Sequence, residues 1–161
     1  MSKLIVEGPT QLHGKIRVAG SKNHVLPMMA ACLLVDGITV LHNVPHISDV
    51  DVMIDIFAEL GVTVQRDGTT LHIDARGLRE AKGFLQDARR MRASVLVLGG
   101  AIGRLERVAI AQPGGDIIGA RSLGVHGKIF EALGLAMQTK DDGVEVNGRR
   151  SGSHTLNAER G

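Results

Sequence analysis

Three short segments collect the residue types needed to hold an anion and to move a proton. In the first, Gly20-Ser21-Lys22-Asn23 leads into an apolar run that starts at Val25-Leu26. A Gly-Ser turn followed by Lys-Asn at a helix start aims backbone N–H groups, an ammonium and an amide at one point. The partial positive charge of a helix N-terminus suits an anion there. An ordinary turn ahead of a helix has the same composition, so both readings stand. In the second, Arg90-Met91-Arg92-Ala93-Ser94 opens another apolar run. Long basic groups at the head of a helix oppose its dipole, which prefers acids. A bound anion would remove that conflict; solvated surface arginines are the alternative. The third, Gln112 to Arg121, places three glycines within six residues around Asp116, with Arg121 close behind. Such a loop can close over a ligand, bringing one acid and one anion clamp; it also reads as a Gly-rich loop with two solvated charges.

The composition narrows what these segments can serve. Hydrophobic residues make up 43% and charged residues 22% of 161 positions, a globular balance with enough chain for one core. A formal charge of +2 gives no broad positive field for nucleic acid. Three Phe with no Tyr or Trp leave no platform for stacking bases. Cys32 is the only cysteine, which excludes an intrachain disulfide and any cysteine-based metal cluster. It sits in Met28-Met29-Ala30-Ala31-Cys32-Leu33-Leu34 and reads as a core thiol. No run approaches the roughly 18 apolar residues of a membrane helix, and Met1 to Gln11 has no secretory core. A cytoplasmic protein with no membrane contact is the expectation.

The elements that must position the three segments come in repeats. Phe57-Ala58-Glu59-Leu60-Gly61 is echoed 73 positions on by Phe130-Glu131-Ala132-Leu133-Gly134. Val62 to Arg66, a turn at Asp67-Gly68 and Thr70 to Ile73 answer to Leu135 to Thr139, a turn at Asp142-Gly143 and Val144 to Val146. The glycine after each helix suits a left-handed cap, and Asp-Gly is a strong hairpin signal. Ahead of these, a helix over Leu26 to Val35 and a strand over Ile38 to Leu41 parallel a helix over Arg92 to Ile102 and a strand over Arg107 to Ile110. Ser48 to Leu60 reads as an amphipathic helix, with Val52, Ile56 and Leu60 on one face and Ser48 as N-cap. Each unit is helix, strand, helix, strand, strand, an α/β design built of repeated modules. The boundaries expected are about 15–77 and 88–149, with a third unit starting at 150–161. Two units and a stub would leave an apolar face uncovered, so the chain is expected to be incomplete.

Taken together, the three segments resemble the UDP-N-acetylglucosamine enolpyruvyl transferases, in order and at similar spacing. The resemblance runs from Leu4 to about His154. It includes Val6-Glu7-Gly8-Pro9, Asn43-Val44-Pro45, Ser48-Asp49-Val50-Asp51-Val52, Leu60-Gly61 and His72-Ile73-Asp74. It implies βαβαββ modules of the inside-out α/β barrel of enolpyruvyl transferases. It also implies transfer of the enolpyruvyl group of phosphoenolpyruvate to the 3′-hydroxyl of UDP-N-acetylglucosamine, a peptidoglycan step needing no metal or organic cofactor. By motif match, Lys22 contacts phosphoenolpyruvate, Asn23 the sugar nucleotide, and Arg92 lies beside both. Arg121 closes over phosphoenolpyruvate. Asp116 stands where most members carry a proton-donating cysteine, the target of fosfomycin. A carboxylic acid can donate that proton but attacks the epoxide far less readily than a thiolate, so insensitivity to fosfomycin is expected.

The departures are specific. The family loop continues Gly-Ala-Arg-Pro-Val-Asp-Leu-His, whereas Gly119-Ala120-Arg121-Ser122-Leu123-Gly124-Val125-His126 stands here. Gly124 lacks the acidic side chain expected to touch the nucleotide. The resemblance also implies a second domain, which supplies the general base and with which Leu4 to Glu7 pairs. The expectation is therefore a fragment, or one part of a split enzyme with a complementary remainder. Two alternatives remain at this point: a non-catalytic sugar-nucleotide-binding or assembly module, and the related shikimate-phosphate branch.

Overall fold

The computed structural model describes residues 3–114 and 123–149. Two units follow one another, each centred on a three-stranded antiparallel sheet. In the first, α1 (Lys22–Cys32), β1 (Ile38–Leu41) and α2 (Ser48–Glu59) precede β2 (Thr63–Asp67) and β3 (Thr70–Asp74), with strand order β1-β3-β2. In the second, two short 3-10 helices (Gln86–Arg90 and Arg92–Val95) run into α3 (Leu96–Ala101) and β4 (Arg107–Ala111). Then come α4 (Gly124–Ala132), β5 (Ala136–Lys140) and β6 (Gly143–Asn147), with strand order β4-β6-β5. The pairing registers correspond: Ile38 lies opposite Asp74 and Arg107 opposite Asn147, at the same corner of each sheet.

The expected elements are present, with four differences. The first helix begins at Lys22 rather than Leu26, since Ser21 is extended and its carbonyl accepts from the N–H groups of His24 and Val25 at 3.2 and 3.0 Å. Pro27 sits inside this helix and has no N–H to return to the Asn23 carbonyl. The Arg92 to Ile102 helix is 3-10 over Arg92–Val95 and α only over Leu96–Ala101. Ser48 is the first helical residue of α2 and not its cap; Ile47 holds the cap position, with no side-chain hydrogen bond, and Asp49 and Asp51 occupy the first turn instead. The two Asp-Gly pairs are not equivalent. Asp67 ends β2 and Gly68 opens the turn at φ 53°, whereas Asp142 ends the second turn and Gly143 begins β6.

The leading strand of the βαβαββ pattern is the least developed element. In the second unit Leu85 makes one parallel bridge to Ile110, its N–H donating to Ala109 and its carbonyl accepting from Ala111. In the first unit residues 3–20 form neither helix nor strand, and Ile16 is 91% exposed. Leu4 to Glu7, expected to pair with a second domain, is likewise exposed.

One apolar core joins the units. Leu26, Met29 and Leu33 of α1 pack with Val50, Met53, Ile56 and Phe57 of α2 over Leu71 and Ile73, and the cluster continues through Val97 and Leu98 to Val144 and Val146. Burial of side chains like these supplies about 1.5–3 kcal/mol each relative to exposure. The helices α1 and α3 lie side by side in close contact, because Gly100 sits against the Ala30 carbonyl and Gly103 against Leu34. A Cβ at Gly100 would stand 2.1 Å from that oxygen. Cys32 is buried and its thiol donates to the Met28 carbonyl at 3.1 Å; burial raises its pKa, so it is the inert core thiol expected.

Candidate functional site

The close contacts at the C-terminal ends of α1 and α3 advance together, from Ala30 with Gly100 to Leu34 with Gly103 just past each helix. The two therefore run in the same direction. Each of the two helices is led by a base, Lys22 on α1 and Arg92 at the head of the 3-10 turn into α3.

At the α1 end, Ser21 makes no side-chain cap, so the first N–H groups of the helix have no side-chain acceptor from Ser21. The Lys22 ammonium extends across to α2 and meets Asp49 Oδ1 at 2.7 Å. Lys22 is about half exposed, whereas the Asp49 side chain is 22% exposed. Asp49 is the chemically important neighbour that sequence reasoning did not single out. Its only signal was an acid in the first turn of a helix, where the dipole alone accounts for it. Gly20 fixes the approach of this turn, since a Cβ there would stand 2.0 Å from the Asn43 carbonyl. Asn43 itself takes a left-handed conformation at φ 57°.

At the second helix start the basic residues divide into two roles. Arg90 donates to Asp55 of α2 at 2.6 Å and to Asp87 at 2.9 Å, which raises its pKa, first through Asp87. It belongs to the packing between units rather than to a ligand. Met91 is buried, and the Ser94 hydroxyl, also buried, donates to the carbonyls of Ala88 and Met91. These bonds hold the turn that presents Arg92, which is partly exposed. Asp116 and Arg121 lie outside the described residues, as do all the residues between them. Gly124 begins α4.

One hollow adjoins the start of α1 and another lies apart from it. One, of about 220 Å3, lies between α1 and the end of β1 and is lined by Ser21, His24, Met28, Leu41 and His42; Lys22 and Asn23 do not line it. The other, about 330 Å3 and mainly apolar, lies between α3 and α4 with Leu34 at its edge, and His126 contributes to its wall. No group of three His, Cys, Asp or Glu side chains able to hold a metal occurs among the described residues. No helix among them is long and apolar enough to cross a membrane.

The fold is that of the enolpyruvyl transferases, the inside-out α/β class. The enolpyruvyl transferase NikO of Streptomyces tendae superposes with a TM-score of 0.73 at 22% identity, over 89% of this chain and 32% of that one. An EPSP synthase of Acinetobacter baumannii superposes with a TM-score of 0.66 at 17% identity, over 85% of this chain and 32% of that one. In sequence, residues 6–158 match the model of the EPSP synthase (3-phosphoshikimate 1-carboxyvinyltransferase) family, and the chain belongs to that family. Curated relatives identify the branch it resembles within it. UDP-N-acetylglucosamine 1-carboxyvinyltransferases of Desulfatibacillum aliphaticivorans and Akkermansia muciniphila are 43% and 36% identical over 93% of this chain. That of Acinetobacter baylyi is 36% identical over 95% of it. The chain spans about a third of the length of these relatives: 36%, 35% and 37% respectively.

Proposed function

We propose that this chain supplies the anion-holding side of an enzyme that transfers the enolpyruvyl group of phosphoenolpyruvate to the 3′-hydroxyl of UDP-N-acetylglucosamine. The observation that supports the reading is a base at the start of each of two helices packed together at Gly100, Lys22 on α1 and Arg92 on the turn into α3. The identity to curated relatives of the sugar-nucleotide branch supports that substrate over the shikimate one.

The chemistry asks for cations, an acid and a base. Protonating the methylene carbon of phosphoenolpyruvate makes its neighbour electrophilic; the sugar hydroxyl adds there, and phosphate then leaves the tetrahedral adduct as its methyl group gives up a proton and the double bond re-forms. Cations are worth most where negative charge gathers on the departing phosphate. In this reading Lys22 and Arg121 hold the phosphoenolpyruvate, Asn23 contacts the sugar nucleotide and Arg92 lies beside both. Asp116 donates the proton to carbon, a task that requires a carboxyl with a raised pKa. No cofactor takes part. The base that accepts the hydroxyl proton comes from a complementary part of the enzyme, the modules lie at about 15–77 and 88–149 with a third starting at 150–161, and the protein works in the cytoplasm. Asp116 in place of a thiol makes the enzyme insensitive to fosfomycin.

Calorimetry tests the substrate assignment. The chain is mixed with the remaining two thirds of the Desulfatibacillum relative and titrated with UDP-N-acetylglucosamine, then with shikimate 3-phosphate. Binding of the sugar nucleotide alone is expected; binding of shikimate 3-phosphate alone would move the protein to the other branch.

A further inference from the structure

We propose that Asp49 is the resident counterion of Lys22, and that an incoming anion must take the ammonium from it. The proposal rests on the reading of Lys22 as an anion contact, and it assigns to that contact a competitor within the fold. Three features of the structure lead to it. Lys22 stands in the first turn of α1, where the helix dipole disfavours a cation, so its charge calls for compensation. Asp49 supplies that compensation from a different helix at 2.7 Å, and it is the more enclosed of the two partners. Its position is also favourable without Lys22, since it lies in the first turn of α2, which has no side-chain cap. The carboxylate therefore stays in place when the lysine moves. The lysine, half exposed on a four-carbon stem, is the partner that can swing.

The consequence concerns affinity. A phosphate or carboxylate reaching Lys22 meets a fixed negative charge one ion-pair distance away, and part of its attraction to the ammonium is spent replacing Asp49. Removing that charge must then strengthen anion binding. A residue that merely held Lys22 in position would weaken binding when lost. The sign of the effect separates the two roles.

The test is an NMR titration of the 15N-labelled chain with phosphoenolpyruvate at fixed ionic strength, on the natural protein and on Asp49→Asn, Lys22→Ala and the double variant. Asp49→Asn is expected to bind about two- to fivefold more tightly, the size of one like-charge contact in high dielectric, and the gain should shrink with added salt. Lys22→Ala should bind more weakly, and in its background most of the Asp49→Asn gain should vanish. If Asp49→Asn binds equally or more weakly while Lys22→Ala still loses affinity, the counterion role is wrong and the reading of Lys22 survives. If Lys22→Ala binds as the natural chain does, or none of the four proteins binds, the reading of Lys22 fails and the proposal with it. Urea midpoints of the four proteins show that a change in affinity is not a change in folding.

Discussion

From their second helix onward the two units are near copies, and ahead of it they diverge. Helix α2 ends with Gly61 at φ 77°, the Val62 N–H reaching back to Phe57 at 2.9 Å and that of Gly61 to Ala58 at 3.0 Å. Helix α4 ends with Gly134 at φ 77°, with Leu135 reaching Phe130 and Gly134 reaching Glu131, both at 2.9 Å. This is the same double-bonded glycine cap, formed twice from the same Phe-x-x-Leu-Gly spacing. The hairpins that follow share one register. The fronts of the units share only an outline. Among the described residues β1 has no strand on its other side, with Ile38 57% and Val40 42% exposed, whereas β4 carries the Leu85 bridge and is almost wholly buried. Cap and hairpin are written into a few adjacent residues; the front of each unit depends on what is laid against it.

The join between the units is polar as well as apolar. Arg104, just past α3, donates to the carbonyls of Leu33, Val35 and Ala75 and pairs with Asp36, all in the first unit. In return Glu59 of α2 accepts from the N–H groups of Gln86 and Asp87, where the second unit begins. Removing Arg104 strikes both units at once. Arg104→Met should lose about 3 kcal/mol of stability, because charge-assisted bonds go and partly buried carbonyls are left without a donor. Urea denaturation followed by circular dichroism checks this; a loss below about 1 kcal/mol would show that the units are joined by apolar packing alone.

The two caps allow a sharper comparison. Alanine is strained at the positive φ of either glycine, by about 1 kcal/mol. At Gly61 there is a further conflict, since a Cβ would stand 2.6 Å from the Gly77 carbonyl and 2.0 Å from Arg79 Nη1. Gly61→Ala should therefore cost about 2–3 kcal/mol, and Gly134→Ala at least the strain of about 1 kcal/mol. A loss of only about 1 kcal/mol at Gly61 would mean that the Gly61 neighbourhood yields freely.

The smallest effect is in acid. Glu145 on β6 is buried and is held by Lys140 at 3.0 Å and Arg107 at 2.7 Å; Lys140 first, then Arg107, lowers its pKa. In the first unit Asp74 on β3 is paired with Arg76, which lowers its pKa to about 2. Both groups bind their proton more weakly folded than unfolded. Their stabilisation is thus complete above the ordinary carboxylate range and lost as pH falls through the folded values. Glu145→Gln should flatten the acid limb of a stability–pH curve measured from about pH 7 down to about pH 2. Asp74→Asn should flatten it only toward the lowest pH, between the ordinary 3.8 and about 2.

The repeat, the helix caps and the hairpins were legible because each rests on short-range chemistry: Phe57 to Gly61 and Phe130 to Gly134 carry their own end signals. The strands Ile38 to Leu41 and Arg107 onward were legible as short β-rich runs. The start of α1 was not, because Pro27 marks a break in most helices and here is carried inside one. The Asp-Gly pairs misled by composition, since the dipeptide that opens one turn closes the other. Within the site, Lys22 and Arg92 stood out as cations in the wrong half of a helix. Asp49 did not, because an acid there already has a reason to exist, and only the packing of α1 on α2 shows that it answers Lys22.

Lys22, Asn23 and Arg92 are proposed to form the anion side of an enolpyruvyl transferase. The direct measurement is phosphate release from phosphoenolpyruvate, with UDP-N-acetylglucosamine present, by the chain combined with the remaining two thirds of the Desulfatibacillum relative. The account predicts release that depends on the sugar nucleotide and falls by at least about a hundredfold in Lys22→Ala, as loss of a cation on the transferring group entails. Release that survives Lys22→Ala unchanged, or none from a mixture that assembles and binds both substrates, would contradict it.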